Sequence, residues 1–179
     1  MACISKLASA IAYDCDTGAT GLVSAIIINK ADIANYAVDT PTASLTALTL
    51  SGGAKAYKID TVKRSLVMST SLKINDGAPN AYSHSAQIIQ TENDTNNARI
   101  ALNAFANGSF VILAKHAGRG VAEVYGLYYG LSATGAENSS HDNGGWTTIT
   151  LETPENVIGE DVVRSSVALY DSLYAGAVG

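Results

Sequence analysis

The chain has 179 residues, of which 47% are hydrophobic and 15% are charged, and its formal net charge is −5. This length predicts a single domain over residues 1–179, with a core large enough to need no disulfide or metal support. The negative charge argues against nucleic-acid binding through a basic surface, and a charged fraction below the usual ~25% favours buried subunit contacts over a merely Ala-, Ser- and Thr-rich composition.

The first strands are predicted from runs of apolar residues. Leu22–Asn29 is rich in Val and Ile, which predicts a buried strand. Leu45–Leu50 and Ala54–Ile59 flank the turn Ser51-Gly52-Gly53, and this pattern predicts a short hairpin.

A long hairpin, which we call the arm, is predicted over residues 65–90. Apolar residues alternate with polar ones from Ser65 to Asn75, and they place Leu72 and Ile74 on the face expected to be half-buried. Turn residues follow, and Ala81–Gln90 returns as the second strand. Because the strands of the arm are longer than the usual ~5–6 residues, the arm can project beyond its own domain and pair with a neighbour.

The period of the pattern changes to that of a helix over residues 94–107. Apolar residues from Ala98 to Phe105 recur at the i, i+3, i+4, i+7 spacing of an amphipathic helix. Gly108 suits the position just after the last turn. We therefore predict one helix that flanks a mainly β fold.

The remaining elements are further strands and loops. Ser109–Lys115 and Val121–Tyr129 are predicted to form a hairpin, and Trp146–Glu152 a further strand. Ser132–Gly145 is dense in Gly, Asn and Ser, which is typical of a polar loop.

The C-terminal extension, residues 157–179, has two interpretations. Apolar residues from Val163 to Leu173 follow helical spacing, which favours a C-terminal helix. The alternative is an extended segment that docks on a neighbouring copy.

The last third of the chain predicts an acidic surface that repels polyanions. Residues 121–179 contain eight acidic residues and one basic residue, Arg164. Their spacing matches no calcium-binding loop. The acidic residues are Glu123, Glu137, Asp142, Glu152, Glu155, Glu160, Asp161 and Asp171.

No catalytic, cofactor or metal site is predicted, and we do not expect an enzyme. A nucleophile needs a base and an orienting group nearby. The three histidines are scattered: His84 suits a core or interface position, His116 a solvated turn, and His141 a loop. The pair His141-Asp142 lacks a third metal ligand, and residues 18–21 lack the lysine that a phosphate-binding loop requires.

The N-terminal region predicts neither a secretory signal nor a membrane anchor. Met1–Ile11 has no long apolar run, so we expect a soluble protein made in a cytoplasm. Cys3 and Cys15 belong to no metal-binding pair and are expected to be reduced and buried, with a single bridge between them as the alternative.

Short glycine-based motifs in two stretches of the chain carry a family resemblance. The first stretch runs from Met1-Ala2-Cys3 through Cys15-Asp16, Gly18 and Gly21 to the strand at Leu22. The second comprises the helix over 94–107, Phe110–Lys115, Gly126-Leu127, Gly130-Leu131, Thr134-Gly135, Asp142-Asn143-Gly144-Gly145-Trp146 and the strand Thr147–Glu152. In these features the chain resembles a group of virion structural proteins from phages of Bacteroidetes and marine bacteria, which are similar to tail tube proteins.

This resemblance implies a β-sandwich or β-barrel of tail-tube type with one flanking helix. It implies six copies in a ring, and rings stacked into a tube whose acidic lumen passes DNA without specific binding. The implied partners are other copies of the chain and other virion tail proteins, in a phage tail assembled in the bacterial cytoplasm. The arm is similar to the hairpin by which tube subunits engage neighbours, whereas residues 157–179 depart from the family pattern.

Two other classes of function are also considered. The first is another structural protein of the virion: a head–tail connector or terminator ring, or a capsid decoration protein. These differ from a tube subunit in the number of copies per virion. A carbohydrate-binding β-sandwich would use an aromatic platform. The candidate platform residues are Tyr125, Tyr128, Tyr129 and Trp146.

Overall fold

The computed structural model shows a mainly β chain, and it describes residues 21–61, 65–91, 96–138 and 146–179. The strands are β1 (Leu22–Asn29), β2 (Ile33–Asp39), β3 (Ser44–Leu50), β4 (Tyr57–Ile59), β5 (Leu66–Lys73), β6 (Ala81–Gln90), β7 (Ser109–His116), β8 (Val121–Tyr125), β9 (Leu131–Asn138), β10 (Thr147–Glu152) and β11 (Val163–Ser166). The helices are α1 (Asn96–Asn107) and α2 (Val167–Ala175), and a 3-10 turn spans Lys30–Asp32.

Strands β1 and β7 form a central ribbon that is buried on both faces. They pair antiparallel, with Ile26 opposite Leu113. Ala25–Ile28 of β1 and Phe110–Ala114 of β7 are buried without interruption. Strands with two buried faces consist of continuous apolar residues rather than alternating ones. The buried strand predicted over Leu22–Asn29 is therefore confirmed.

The sheet divides at β7 into two branches. The C-terminal half of β7 pairs with β8, and the first branch continues through β11 and β3 to β2. Ser109 and Phe110 of β7 pair with β9, and the second branch continues through β10 and β6 to β5. The pairing of β11 with β3 is parallel, so the sheet is mixed. Within the described residues the end strands β2 and β5 are not joined, and the sheet is not closed.

A hydrophobic core lies on each side of the ribbon. The first core joins the ribbon to the second branch and includes Ile112 and Leu151. The second core joins the ribbon to the first branch and to α2, and it includes Leu113 and Tyr170. All four side chains are at most 1% exposed. The ribbon thus anchors both halves of the molecule.

Helix α1 confirms the helix predicted over residues 94–107, of which residues 94 and 95 lie outside the described part of the chain. The ring of Phe105 contacts that of Phe110 across the turn that ends the helix, with centroids 5.2 Å apart. A Cβ at Gly108 would collide with the Phe110 ring and lie 2.7 Å from the Ala104 carbonyl oxygen. Glycine is therefore required here for a close approach.

The C-terminal residues pack against their own chain. The helical interpretation is the one observed, but Val163–Ser166 forms strand β11 and α2 begins only at Val167. The backbone N–H of Lys58 donates to the carbonyl oxygen of Val178 at 2.8 Å, which fixes the chain end beside β4. The extended alternative is not observed for the C-terminal segment.

Two predictions of local structure are wrong. Strands β3 and β4 do not form a hairpin, because β3 pairs with β2 and β11 while β4 pairs with β1. Tertiary partners override the turn signal at residues 51–53. The polar loop predicted over Ser132–Gly145 instead begins as β9, up to Asn138. Strand β9 is mostly exposed, so it lacks the apolar alternation by which strands are recognised.

Candidate assembly surface

The predicted arm is present as the antiparallel pair β5–β6. Leu66 lies opposite Ile88 near the body of the protein, and Leu72 lies opposite Tyr82 near the tip. Strand β10 pairs with β6 only along residues 85–90. The tip half of the arm therefore extends past the neighbouring strand.

An apolar stripe runs along one face of the arm from the first core toward the tip. Leu66 and Ile88 are buried in that core. Farther out, Leu72 is 59% exposed, Ile74 75% and Tyr82 39%. We call these last three residues the distal stripe. The sequence predicted Leu72 and Ile74 on a half-buried face. That prediction is wrong within one chain, because no described part of the chain covers these two side chains.

Residues 155–160, which we call the strap, cross the base of the tip. The Nζ of Lys73 donates to the carbonyl oxygens of Glu155 and Val157, at 2.9 and 2.6 Å. Both bonds are made by a cation, and charge-assisted hydrogen bonds are stronger than neutral ones. The strap therefore fixes the end of β5 on the body.

The strap also pairs with β6 through its backbone. Tyr82 and Glu160 exchange two backbone hydrogen bonds, of 2.9 and 2.7 Å. Gly159 allows this approach: its φ is +127°, and a Cβ there would lie 2.8 Å from the Cβ of Ala81. Only glycine adopts such a conformation readily. The arm is consequently held on both of its strands.

The carboxylate of Glu160 fastens the strap to the turn after β8. It is fully buried and accepts the backbone N–H groups of Tyr128 and Tyr129, at 2.8 and 2.7 Å. Burial raises the pKa of Glu160, although these bonds and the nearby charge of Lys30 oppose the shift. Lys30 in turn donates its Nζ hydrogen to the carbonyl oxygen of Leu127.

His84 links the arm to the same turn from the other side. Its side chain is 1% exposed, and its Nδ1 accepts the backbone N–H of Gly126 at 3.2 Å. Its ring meets the edge of the Tyr125 ring, with centroids 5.0 Å apart. Burial lowers the pKa of His84 to about 4. The predicted core position of His84 is confirmed, and the imidazole is neutral near pH 7.

Glu123 gathers a polar cluster beside His84. Its carboxylate accepts the Tyr125 hydroxyl at 2.7 Å and the Arg119 guanidinium at 2.7 Å, and His116 Nε2 lies 3.2 Å away. Burial opposes ionisation, but these donors leave the pKa of Glu123 below its ordinary value. His116 therefore contacts the Glu123 carboxylate and is partly buried, in contrast to the solvated turn predicted from sequence.

The histidines were predicted to be scattered, but two of the three lie close to this cluster. His84 and His116 lie on two sides of the Glu123–Tyr125 pair, whereas His141 falls outside the described residues. A cavity of about 290 Å³ adjoins the cluster, between the arm and β8. In the described part of the chain, no three His, Cys, Asp or Glu side chains are placed to share a metal ion. Cys3, Cys15 and residues 18–20 also lie outside it.

The acidic surface predicted for the last third is only partly present. Glu160 is buried and Glu123 is enclosed by its donors, so neither faces solvent as a free charge. Glu137 and Glu155 are exposed, and Asp171 pairs with Lys115 at 2.9 Å. The correction follows from packing: three of the acids, Glu123, Glu160 and Asp171, bind groups of their own chain.

The aromatic residues do not form one platform. Tyr125 is buried at 7% exposure, and the ring of Tyr128 packs edge-on against Tyr36. Tyr129 and Trp146 are exposed, but they lie beyond opposite ends of β9 in the sheet register. The sugar-binding arrangement is therefore not assembled among these four side chains.

No family model matches this chain, and no curated protein or solved structure matches it either. Of the helices that the structure describes, neither has the length and apolar character needed to span a bilayer. Function is therefore inferred from the geometry of the arm, the strap and the sheet edges.

The strap and its buried carboxylate were missed by sequence reasoning. Glu160 was expected on an acidic surface, whereas it is buried beneath the turn at residues 126–130. The available signal was weak: Gly159 directly precedes the acid, and a glycine outside a turn motif can mark a close backbone approach. The turn that binds Glu160 lies about thirty residues earlier in the sequence, and no pattern near Glu160 indicates it.

Proposed function

We propose that this chain is a self-assembling structural subunit of a phage virion, of the tail-tube type. The observation that carries the proposal is the distal stripe, in which Leu72, Ile74 and Tyr82 are exposed near the tip of the arm. Contiguous exposed apolar residues on a soluble protein mark interaction sites. The strap holds the arm in place, which favours a contact surface that is ordered before a partner binds.

Burial of the distal stripe supplies a driving force for assembly. A large apolar side chain that becomes fully buried contributes ~1.5–3 kcal/mol. Because Lys73 and Tyr82 already bind the strap, the arm has little conformational freedom left to lose on binding. In a ring, each copy gives one arm and receives another, so the same contact recurs at every interface.

The two end strands offer a second contact. Strand β2 carries one charged residue, Asp39, and strand β5 carries one, Lys73, each at the last position. Soluble proteins often protect exposed edges with charges or prolines. The interior of both strands contains neither, although the register of β2 against β3 shifts at Ile33–Asn35 and Ala37–Val38. Pairing of β2 in one copy with β5 in the next would continue the sheet from copy to copy. Six such copies would complete the barrel that a tail tube requires.

The charge of the chain suits a lumen through which DNA slides. The net charge is −5, and Glu137 and Glu155 are exposed. Such a surface does not retain a phosphate backbone. In this proposal DNA passes without specific binding, and the partners are identical copies and other virion tail proteins. The location is the phage tail, after assembly in the host cytoplasm.

Electron microscopy and light scattering of the purified chain test the proposal. We expect rings with an open lumen, six copies around, that stack into tubes as the concentration rises. A chain that stays monomeric at high concentration and has no place in a tail contradicts it. A single ring per particle would identify a connector or terminator instead. A position on the outside of the capsid shell would identify a capsid decoration protein.

A pair of matched variants tests whether the arm makes the contact. Leu72 is 59% exposed and Ile100, on the outer face of α1, is 64% exposed. We expect Leu72→Lys to raise the concentration needed for assembly about tenfold or more, because a buried unpaired ammonium is costly. Ile100→Lys should leave that concentration unchanged. Equal effects of both substitutions would rule out the arm as the contact.

A further inference from the structure

A groove lies between α1 and the outer strands of the second branch. Its volume is about 600 Å³. Ala133 and Gly135 of β9 form part of its floor, and Leu102 and Phe105 of α1 form part of its wall. Leu102 and Phe105 are only partly buried. The groove is thus an apolar surface with small residues at its base, where an inserted side chain would meet little obstruction.

One charged residue lines this groove among the described residues. Arg99, at the N-terminal part of α1, is exposed and borders the apolar wall. A guanidinium beside an apolar surface favours an occupant that pairs an apolar side chain with a carboxylate. The expected occupant is therefore a segment with both an apolar and an acidic side chain, rather than any hydrophobic segment.

The tip of the arm carries this combination. Ile74 is 75% exposed, and Asp76, two residues farther along, is also exposed. Gly77 completes the turn with φ +81°. Asn75 Nδ2 donates to the strap at Ile158, 2.8 Å away, so the tip is anchored while Ile74 and Asp76 remain accessible.

The tip and the groove lie at opposite ends of the second branch. The tip adjoins Ala81, at the start of β6, whereas the groove adjoins Gln90, at its end, where Thr147 of the groove lies opposite Gln90. A ten-residue strand spans about 30 Å at ~3.3 Å per residue. Because the strap fixes the arm, the tip does not reach the groove of its own chain.

We propose that the arm tip of one copy inserts into the groove between α1 and β9 of the next copy, with Ile74 against Leu102 and Phe105 and Asp76 beside Arg99. This rests on the proposed self-assembly and names the receiving site. Two different surfaces meet at such a contact, so it is heterologous and repeats head to tail. It is the contact by which each copy gives one arm and receives another, in addition to the pairing of edge strands β2 and β5.

Charge reversal tests the pairing of the two surfaces. Arg99→Glu and Asp76→Lys should each raise the concentration for assembly about tenfold, and the double variant should return it close to that of the unmodified chain. Arg164→Glu, at an exposed arginine on β11, is the matched control and should have no effect. Unchanged assembly in the single variants, or a double variant as weak as its parents, overturns the proposal.

Disulfide trapping locates the contact independently of charge. In a full-length background with Cys3→Ser and Cys15→Ser, we expect Ile74→Cys with Ala133→Cys to give a ladder of linked copies on oxidation. Ile74→Cys with Ile100→Cys is the control and should give none. Rings that form without a ladder would refute the tip–groove contact but not the proposed function. A strictly monomeric chain would refute both.

Discussion

The central ribbon and the arm are built from similar apolar residues, but those residues reach different surroundings. In the ribbon, Ile26 and Leu113 are fully buried, and both faces are covered by the chain itself. In the arm, the stripe starts buried at Leu66 and ends exposed at Leu72. One continuous sheet therefore stabilises the chain at its centre and exposes apolar side chains at its margin.

The largest expected contrast comes from the same substitution in both regions. Leu113→Ala should lower the free energy of unfolding by ~2–5 kcal/mol, because it leaves a cavity in a close-packed core. Leu72→Ala should lower it by less than ~0.5 kcal/mol, since an exposed side chain loses little on truncation. Denaturant unfolding, measured on dilute monomer, gives both values.

The assembly of the same two variants sharpens the contrast. Leu72→Ala should weaken assembly while the monomer keeps its stability. If Leu72→Ala instead destabilised the monomer as much as Leu113→Ala, the tip of the arm would belong to the core.

The next largest effect is expected in the pH dependence of stability, through His84, where the arm meets the body. Its pKa is about 4 in the folded chain, against an ordinary value of 6.5. Between these values the unfolded chain binds a proton that the folded chain does not, so the stability is complete above pH 6.5 and falls as the pH drops toward 4. The loss is on the order of 3 kcal/mol.

Denaturant unfolding between pH 7 and 4 measures this effect, with His84→Gln as the comparison. The glutamine side chain can still accept the N–H of Gly126 but does not titrate. The variant should show a flatter dependence on pH over this range, with carboxylates contributing equally to both chains. Parallel pH profiles would show that His84 takes no part in acid sensitivity.

The smallest effect is expected at the end of the ribbon. Lys115 of β7 pairs with Asp171 of α2 at 2.9 Å, and the Asp171 side chain is 54% exposed. Exposed ion pairs contribute ~0–1 kcal/mol, so Asp171→Asn should change the thermal midpoint only marginally. A large loss of stability would mean that charge, rather than apolar burial, holds α2 to the ribbon.

The elements that the sequence predicted correctly are those specified by neighbouring residues. The arm, α1 and the β7–β8 hairpin each depend on a repeating pattern or a turn within one segment. The second strand of that hairpin ends at Tyr125 rather than at the predicted Tyr129. Even there, the alternation along β5 showed which face is apolar without showing that Leu72 and Ile74 are exposed on it.

The features that were missed depend on partners far apart in sequence. Strand β3 pairs in parallel with β11, which joins Ser44 to Arg164. Glu160 is buried by a turn formed about thirty residues earlier in the chain. The groove likewise combines a helix with a strand that was predicted as a loop. A single sequence carries no signal for which distant segments meet, so the groove could not be predicted from it.

The antiparallel pairing of β1 with β7 has a consequence for synthesis. Ile26 leaves the ribosome well before its partner Leu113. At translation rates of ~5–20 residues per second, β1 waits roughly 5–20 s for a strand to pair with. During that interval the apolar segment Ala25–Ile28 is exposed in the nascent chain. The need for chaperones during synthesis should therefore depend on this early strand more than on the arm.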